Sequence, residues 1–160
     1  TTMATKKIID YTRAEVIAEL GKYFKLSELV CPHVYNRHGS NSWQFLDTEA
    51  LRVLLILRVD VLQVPLVCNT GRLTQRGLRC NMCMLVATAT VKGNLYLTPH
   101  KFGKAWDLTS PQMTAAQMRS KILAKKSHFP MPIRLELDVN WLHIDTFDNC
   151  KGINPYCFKA

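Results

Sequence analysis

Residues 98–109 read Thr-Pro-His-Lys-Phe-Gly-Lys-Ala-Trp-Asp-Leu-Thr, and this stretch decides the predicted fold. His100 and Asp107 stand seven residues apart in it. Gly103 and Ala105 lie between them. This separation allows the chain to turn at Gly103 after His100 and to place Asp107 on a strand that runs back toward it. The small residues Gly103 and Ala105 allow backbone or substrate to approach closely. The stretch therefore predicts two metal ligands at a turn that leads into a strand.

A second motif, Asn-Trp-Leu-His-Ile-Asp at residues 140–145, supplies His143 as a further candidate ligand. Two imidazoles and one carboxylate form a three-ligand zinc site with a fourth position free for water, which is typical of a catalytic rather than a structural zinc. Asp145 lies two residues after His143 on a predicted strand, so both side chains face the same side. We expect His100, Asp107 and His143 to bind Zn²⁺ and Asp145 to orient a ligand or the nearby backbone.

Together, the motifs His-x-x-Gly-x-Ala-x-Asp and Trp-x-His-x-Asp resemble those of the zinc D-Ala-D-Ala peptidase family. That family includes bacterial carboxypeptidases and phage endolysins, and it shares its fold with the Hedgehog signalling domain. The resemblance covers about residues 24–147. It implies an α+β fold in which helices pack on a small, mainly antiparallel sheet that carries the three zinc ligands. Because a chain of 160 residues is most simply one domain, we expect residues 1–160 to form a single peptidase-like domain without a separate wall-binding domain.

The activity that the resemblance implies is zinc-dependent hydrolysis of peptide bonds in the stem peptides of bacterial peptidoglycan. The enzyme would be a carboxypeptidase or an endopeptidase, including a phage endolysin, and the sequence leaves the cleaved bond open. The alternative belongs to another class of protein: a catalytically silent zinc-binding module, or a virion or partner-binding protein. The Hedgehog relatives suggest this alternative, since the same fold can hold zinc without hydrolysing a substrate.

The general base is the open question in this comparison. A zinc peptidase needs a carboxylate that takes a proton from the attacking water and passes it to the leaving amine. In many relatives that acid lies three residues before the last histidine, where this sequence has Asn140. Glu136 and Asp138 are the nearby acids. We expect Glu136 to act, because some relatives have a glutamate at similar spacing before Trp-x-His, and Asp138 is the second candidate.

Two further residues are expected to contact the substrate. The family has a Ser-Gly-x-Arg-like turn after a buried strand, which residues 65–72 match loosely. Arg72 is expected to bind a stem carboxylate through two parallel hydrogen bonds, with an ordinary surface arginine as the alternative. Thr98 stands where the family usually has a serine before the first ligand, and it is expected to bind the substrate or the zinc surroundings.

Composition and charge set the expected surroundings of the protein. The chain is 48% hydrophobic and 21% charged, and without an apolar run of about 18 residues we expect no membrane span. Residues 1–9 lack an apolar signal core, so we expect synthesis in the bacterial cytoplasm and action on the cell wall, in the phage case after lysis.

The net charge of +9 suits the anionic wall as partner, although a solvated basic face is equally compatible with it. Nucleic acid is not favoured, because no arginine-rich arm is present, and a monomer is expected.

The six cysteines are expected to be mostly reduced and to act as buried free thiols. The alternative is a four-thiolate zinc site, whose ligands would be Cys80, Cys83, Cys150 and Cys157. His33 and His38 fall in a segment, residues 33–43, that reads as a polar loop. We expect these two histidines to be solvated, and they are only secondary candidates for a site.

Apolar periodicity and capping residues predict the remaining elements. Helices are expected at residues 13–20, 48–62, 80–87 and from residue 111 or 115 to 126. Strands are expected at residues 66–68, 133–137 and 141–147, the last two joined by a tight turn.

Overall fold

Six α-helices and one four-stranded sheet make up residues 5–149 and 151–160, the part of the chain that the computed structural model describes. The helices are α1 (Arg13–Leu20), α2 (Leu26–Leu29), α3 (Pro32–His38), α4 (Thr48–Ile56), α5 (Met84–Val91) and α6 (Ala115–Ala124). The strands are β1 (Ala105–Leu108), β2 (Arg134–Glu136), β3 (Leu142–Asp145) and β4 (Tyr156–Phe158). This arrangement confirms the expected α+β class.

The helix starts follow from side chains that cap the first turn. Thr12 Oγ1 accepts a hydrogen bond from the amide of Glu15 at 3.2 Å, and Asp47 Oδ2 accepts one from the amide of Ala50 at 3.1 Å. Such acceptors satisfy amides that have no partner inside the helix. The carboxylate of Glu15 does not complete a capping box, because it binds Lys6 Nζ at 2.8 Å instead.

Helix α6 begins at the later of its two expected starts. Thr114 and Gln117 form a reciprocal capping box, with bonds of 3.2 and 2.9 Å between each side chain and the other residue's amide. Met118 and Ile122 are buried as expected, whereas Leu123 is 41% exposed and does not face the core.

Helix α4 lies at the centre of the core. Residues 50–56 are all buried, so the helix has no solvated side beyond its first turn. Arg52 is 8% exposed, and its guanidinium donates to the carbonyl oxygens of Ile8 and Tyr11 at 3.0 and 2.7 Å. The helix expected to reach residue 62 ends as an α-helix at Ile56 and continues as a π-helical turn over Leu57–Val61. Among the described residues no helix, α4 included, has the length and apolarity needed to cross a bilayer.

The sheet has the strand order β1-β3-β2-β4. Strand β3 pairs antiparallel with both β1 and β2, and β4 pairs parallel with β2. The expected hairpin of β2 and β3 is present, and Asp138 in its turn has a φ of 62°. Strand β4 was not expected, because three residues give too short a pattern to identify a strand.

The two faces of the sheet have different roles. One face carries apolar side chains into the main core, among them Trp106, Leu135 and Ile144. Trp106 Nε1 donates to the carbonyl oxygen of Ala50 at 2.8 Å, which fixes the sheet against α4. Because side chains alternate along a strand, the residues between these apolar positions all lie on the opposite face. Those residues include Asp107 and His143.

Three expected elements differ from the structure. Residues 33–43 do not form a loop: they form most of α3 and part of a 3-10 helix, Gly39–Phe45. Pro32 begins α3 instead of breaking the chain, because its fixed φ and missing N–H suit the first position of a helix. The strand expected at residues 66–68 is reduced to a single bridge between Val67 and Thr109. Helix α5 begins at Met84 rather than residue 80, because the amide of Cys83 closes a turn onto the carbonyl of Cys80.

Gly103 fixes the path of the chain into β1. It follows the 3-10 helix Pro99–Phe102 and has a φ of 68°, a conformation that favours glycine. Its carbonyl oxygen accepts a hydrogen bond from the amide of Asp47 at 3.0 Å. A Cβ at this position would collide with the backbone of Phe45 and Leu46. The expected close backbone approach at Gly103 is therefore present.

We predict that Gly103→Ala lowers the free energy of unfolding by more than Gly93→Ala does, as measured by urea denaturation. Both glycines have a positive φ, and a side chain in that conformation costs roughly 1–2 kcal/mol. Only Gly103 adds a backbone collision, since a Cβ at Gly93 meets no atom within 4 Å. Equal losses in the two variants would contradict the packing described for Gly103.

Candidate metal centre

The register of the sheet places the central polar residues in one row. Strands β1 and β3 pair Asp107 with His143. Strands β2 and β4 pair Glu136 with Phe158. Continuing the β2–β3 register by one pair, from Leu135 opposite Ile144, puts Glu136 beside His143. Directly opposite residues lie on the same face of a sheet, so all four side chains of the row share the polar face.

His100 reaches this row from the 3-10 helix that precedes β1. Its Nδ1 donates to the carbonyl oxygen of Gly77 at 2.9 Å, because a carbonyl can only accept. Its Nε2 lies 3.2 Å from Asp107 Oδ2. A backbone carbonyl that takes one ring N–H fixes the orientation of the imidazole and leaves the other nitrogen for a metal.

His143 is held between two carboxylates. Its Nδ1 lies 2.8 Å from Asp107 Oδ1, and its Nε2 lies 2.8 Å from Asp145 Oδ2. Asp145 is fully buried and accepts two further bonds from Arg134, Nε to Oδ1 at 2.7 Å and Nη2 to Oδ2 at 2.9 Å. Arg134 also lies over the ring of Phe158, with 4.7 Å between the guanidinium carbon and the ring centre. Arg134 therefore fixes Asp145, and Asp145 in turn fixes His143 with Nδ1 toward Asp107.

These three side chains could hold a metal ion. His100, Asp107 and His143 each offer one ligand atom, and the three atoms lie within 4.8 Å of one another. All three residues are buried. Two imidazole nitrogens and one carboxylate oxygen fit a divalent transition metal, zinc among them. The three candidate ligand residues are thus brought together, and Asp145 contacts the imidazole of His143.

The charges of the group favour a cation. Burial raises the pKa of Asp107, but hydrogen bonds with His100 and His143 outweigh it and hold that pKa well below its usual range. Burial lowers the pKa of His100 below its usual range. Burial also lowers the pKa of His143, but hydrogen bonds to Asp107 and Asp145 outweigh that effect and raise it to about 9. A proton on His143 therefore supplies positive charge between two carboxylates, where a metal ion would supply it instead.

A cavity of about 230 Å³ opens onto the three candidate ligands. Its wall includes two of the residues expected in the site, Thr98 and Glu136, and also Trp141 and Phe158. Glu136 is partly buried. Glu136 is thus on the wall of the same cavity as the candidate ligands.

Asp138 and Asn140 lie away from this cavity. The side chain of Asp138 is 69% exposed, and its Oδ2 binds Lys159 Nζ at 2.9 Å. Asn140 is exposed and lines a different cavity, beside α6. The sequence reasoning placed Glu136 and Asp138 together as candidates for the base, and the structure separates them.

Arg72 lines a neighbouring cavity, also of about 230 Å³. The two cavities share three residues, Arg79, Asp107 and Trp141, so the second is an extension of the first. Arg76 also lines the Arg72 cavity. The expected substrate-binding arginine is therefore next to the candidate ligands without contacting them.

The sequence reasoning missed three residues of the site: Gly77, Arg79 and Arg134. Arg79 donates to Asp107 Oδ2 at 3.3 Å and to Tyr96 Oη at 2.7 Å. Arg134 had a usable signal, because it lies two residues before Glu136 and must share its face of the strand. Gly77 and Arg79 had none, since they meet the ligands only through the tertiary fold.

Cys80 and Cys83 do not form the four-thiolate group that was considered as an alternative. Cys157 lies on β4 apart from them, and Cys150 is outside the described residues. Instead, the two cysteines meet Cys31 and His33 in a second group that could hold a metal ion. The second histidine of α3, His38, packs against the ring of Phe45 at 4.9 Å between ring centres and joins neither group.

The largest of the cavities described here, about 650 Å³, lies elsewhere, between the N-terminal segment and α4. Neither candidate metal group of the described residues borders it. The candidate ligands His100, Asp107 and His143 border the smaller cavity instead.

In comparisons with known proteins, no protein-family profile, no curated protein and no solved structure matches the chain.

We predict that His100→Ala and Asp107→Ala each remove one equivalent of bound zinc relative to the unsubstituted protein, because each deletes one of three ligands. Elemental analysis of protein dialysed against zinc measures the loss. His38→Ala is the matched control and is expected to keep all bound metal, since its ring contacts only Phe45 among the described aromatic pairs. Unchanged zinc in both ligand variants would show that this group does not bind the metal.

Proposed function

We propose that this protein is a zinc-dependent peptidase that hydrolyses peptide bonds in the stem peptides of bacterial peptidoglycan, as a carboxypeptidase or an endopeptidase such as a phage endolysin. One observation carries the proposal. Two buried imidazoles and a buried carboxylate converge at a cavity that also holds a separate, partly buried carboxylate, Glu136. A hydrolytic zinc site needs both parts, a ligand set with an open position and a general base.

Each part of the site has a task in this proposal. When bound, zinc supplies Lewis acidity to a carbonyl group and to water. Glu136 takes the proton of the attacking water and transfers it to the leaving nitrogen. Arg134 and Asp145 keep His143 in the orientation that a ligand requires, so these two residues position the site.

The neighbouring arginine-lined cavity supports a substrate with carboxylates. Arg72, Arg76 and Arg79 all line it, and arginine binds carboxylates through paired hydrogen bonds. Two buried donors of this wall, Arg76 Nη1 and Trp141 Nε1, have no hydrogen-bond partner among the described residues. Buried donors without a partner are costly, so a ligand rich in acceptor oxygens would stabilise this wall. Peptidoglycan stem peptides are such ligands.

The net charge of +9 gives the protein an attraction for an anionic cell wall. We infer that a monomer acts at the wall and that this attraction concentrates it there. The alternative function is a catalytically silent zinc module, and Asn140 is the observation that favours it, because the acid that many relatives have at this position is missing. The two functions differ in whether Glu136 transfers a proton.

We predict that the protein clears peptidoglycan in a gel assay, that chelators stop the clearing, and that Glu136→Gln loses most of the activity while keeping its zinc. General acid-base catalysis contributes roughly 10²–10⁴-fold, so a loss of this size is expected. Asp138→Asn is the matched control and should keep nearly full activity, because Asp138 is bound to Lys159 outside the cavity. Mass spectrometry of the digested wall identifies the cleaved bond.

Two results would count against this assignment. Full activity in Glu136→Gln with none in Asp138→Asn would transfer the role of base to Asp138. A protein that holds zinc but leaves walls of several bacterial types intact would favour the silent module.

We predict that Arg72→Ala lowers turnover of a peptidoglycan substrate more than Arg72→Lys does, with zinc content unchanged in both. Lysine keeps the charge but loses the planar fork, and alanine loses both. Arg37→Ala, at an exposed arginine on α3 that lines neither cavity, is the control for loss of surface charge. Turnover in Arg72→Ala equal to that of the control would show that Arg72 takes no part in binding.

A further inference from the structure

The second group of candidate ligands consists of Cys31, His33, Cys80 and Cys83, whose ligand atoms all lie within 4.8 Å of one another. Cys80 Sγ is 3.5 Å from His33 Nδ1 and 3.9 Å from Cys83 Sγ. Cys83 Sγ is 3.8 Å from His33 Nδ1. In a tetrahedral site with Zn–S bonds of about 2.3 Å and Zn–N bonds of about 2.0 Å, ligand atoms lie roughly 3.5–3.8 Å apart. We propose that these four residues bind a second zinc ion, with a structural rather than a catalytic role.

The local sequence suits this role. Cys80 and Cys83 have the C-x-x-C spacing that zinc-binding turns use. Cys31 and His33 form a second pair, with one residue between them. The amide of Met82 donates to Cys80 Sγ at 3.3 Å. An amide that donates to sulfur stabilises the negative charge of a thiolate, which is the form that binds zinc.

A backbone pairing brings the two halves of the group together. Val30 and Leu78 form a parallel bridge. The amide of Leu78 donates to the carbonyl of Leu29 at 2.9 Å, and the amide of Cys31 donates to the carbonyl of Leu78 at 3.1 Å. Cys31 follows one side of this bridge directly, and Cys80 lies two residues beyond the other side. The four ligands therefore meet at a fixed point of the fold.

The ligand set distinguishes this group from a redox pair. Three thiols and one imidazole complete a tetrahedron, which leaves no position for water or substrate. The sulfur atoms of Cys80 and Cys83 are 3.9 Å apart and not bonded. A disulfide would use only these two sulfur atoms. It would not account for the position of Cys31 and His33 beside them.

The segment around α5 needs such an anchor. Its buried contacts form a small cluster separate from the main core, with Cys31, Cys83 and Val86 as its buried members. On α5 itself, Met84 is 71% exposed and Val91 is 89% exposed. Segments that bury too little apolar surface to hold themselves often use a metal, whose binding energy becomes folding energy.

The second site would also support the first. Arg79 precedes Cys80 in the chain, donates to Asp107, and its own amide donates to the carbonyl of His100 at 3.0 Å. Gly77 supplies the carbonyl that orients His100. Zinc at the cysteine group would therefore hold the segment that positions two ligands of the other group. This inference concerns metal binding alone and stands independently of the proposed peptidase activity.

Metal counting separates the two sites. Protein purified with reductant and zinc is expected to hold about two zinc ions per chain by elemental analysis, one for each group. The double variant Cys80→Ser with Cys83→Ser is expected to lose one of them, and His100→Ala the other. Cys157→Ser is the matched control, because Cys157 belongs to neither group, and it should keep both.

Cobalt substitution identifies which site is lost. Thiolate ligands give a near-ultraviolet charge-transfer band with cobalt, so this band is expected in the unsubstituted protein and in His100→Ala and absent from the double cysteine variant. His33→Ala is expected to shift the band, whereas His38→Ala leaves it unchanged. If the double variant fails to fold, titration of the unsubstituted protein with a thiol-specific mercurial reagent replaces it, and release of one zinc per chain is expected.

Three outcomes would overturn the second site. The first is a protein with one zinc per chain, which His100→Ala removes and the mercurial reagent does not release. The second is a cobalt spectrum without a thiolate band. The third is a Cys80–Cys83 disulfide that persists in protein supplied with zinc and reductant. The first of these outcomes would leave the peptidase proposal intact. Conversely, a protein that holds the thiolate-bound zinc but shows no wall hydrolysis would support the second site while the peptidase proposal fails.

Discussion

The carboxylate of Asp107 holds the candidate metal centre together. It contacts the imidazoles of His100 and His143 and the guanidinium of Arg79, and these three partners come from different parts of the chain. An ionised carboxylate that is buried needs such partners, because desolvation without them costs several kcal/mol. The backbone of Asp107 is also fixed, since its amide donates to the carbonyl of Arg76 at 2.8 Å. The centre therefore forms only when the sheet, the turn before β1 and the segment around Arg76 have assembled.

The sheet separates this polar group from the large apolar core. The alternation of side chains along β1 and β3 sends Trp106 and Ile144 into the core and Asp107 and His143 to the opposite face. A shift of one residue between these strands would exchange the two sets and bury the ligands in the core. The bond from Trp106 to Ala50 on α4 opposes such a shift, so the same contact that packs the core also fixes the site.

The features that could be predicted from the sequence are those that depend on residues close together in the chain. Thr12, Asp47 and Thr114 each act on a residue three positions away, so their helix starts could be read from local patterns. The candidate ligands His100 and Asp107 were found because one eight-residue motif carries both. The spacing of His143 and Asp145 was likewise local, and the structure places both on one face of β3.

The failures have the opposite origin. Arg79 lies 28 residues from Asp107, and their contact depends on how the segment around Arg79 packs against β1, which no local pattern records. The alternative metal site joined Cys80 and Cys83 to cysteines downstream, whereas the bridge between Val30 and Leu78 brings Cys31 to them from upstream. Such a bridge is a single pair of residues, too short to predict from apolar periodicity.

Gly77 belongs to a short sequence pattern that identifies this fold. A Cβ there would collide with the backbone of Leu29, so the position requires glycine, and its carbonyl oxygen orients His100. With Arg79 and Cys80 it forms the short string Gly-x-Arg-Cys, which ends on the first cysteine of C-x-x-C and stands before the histidine and aspartate motifs. Each member of this ordered set makes or permits a contact at one of the two candidate metal groups, so a sequence that keeps the whole set would keep those contacts.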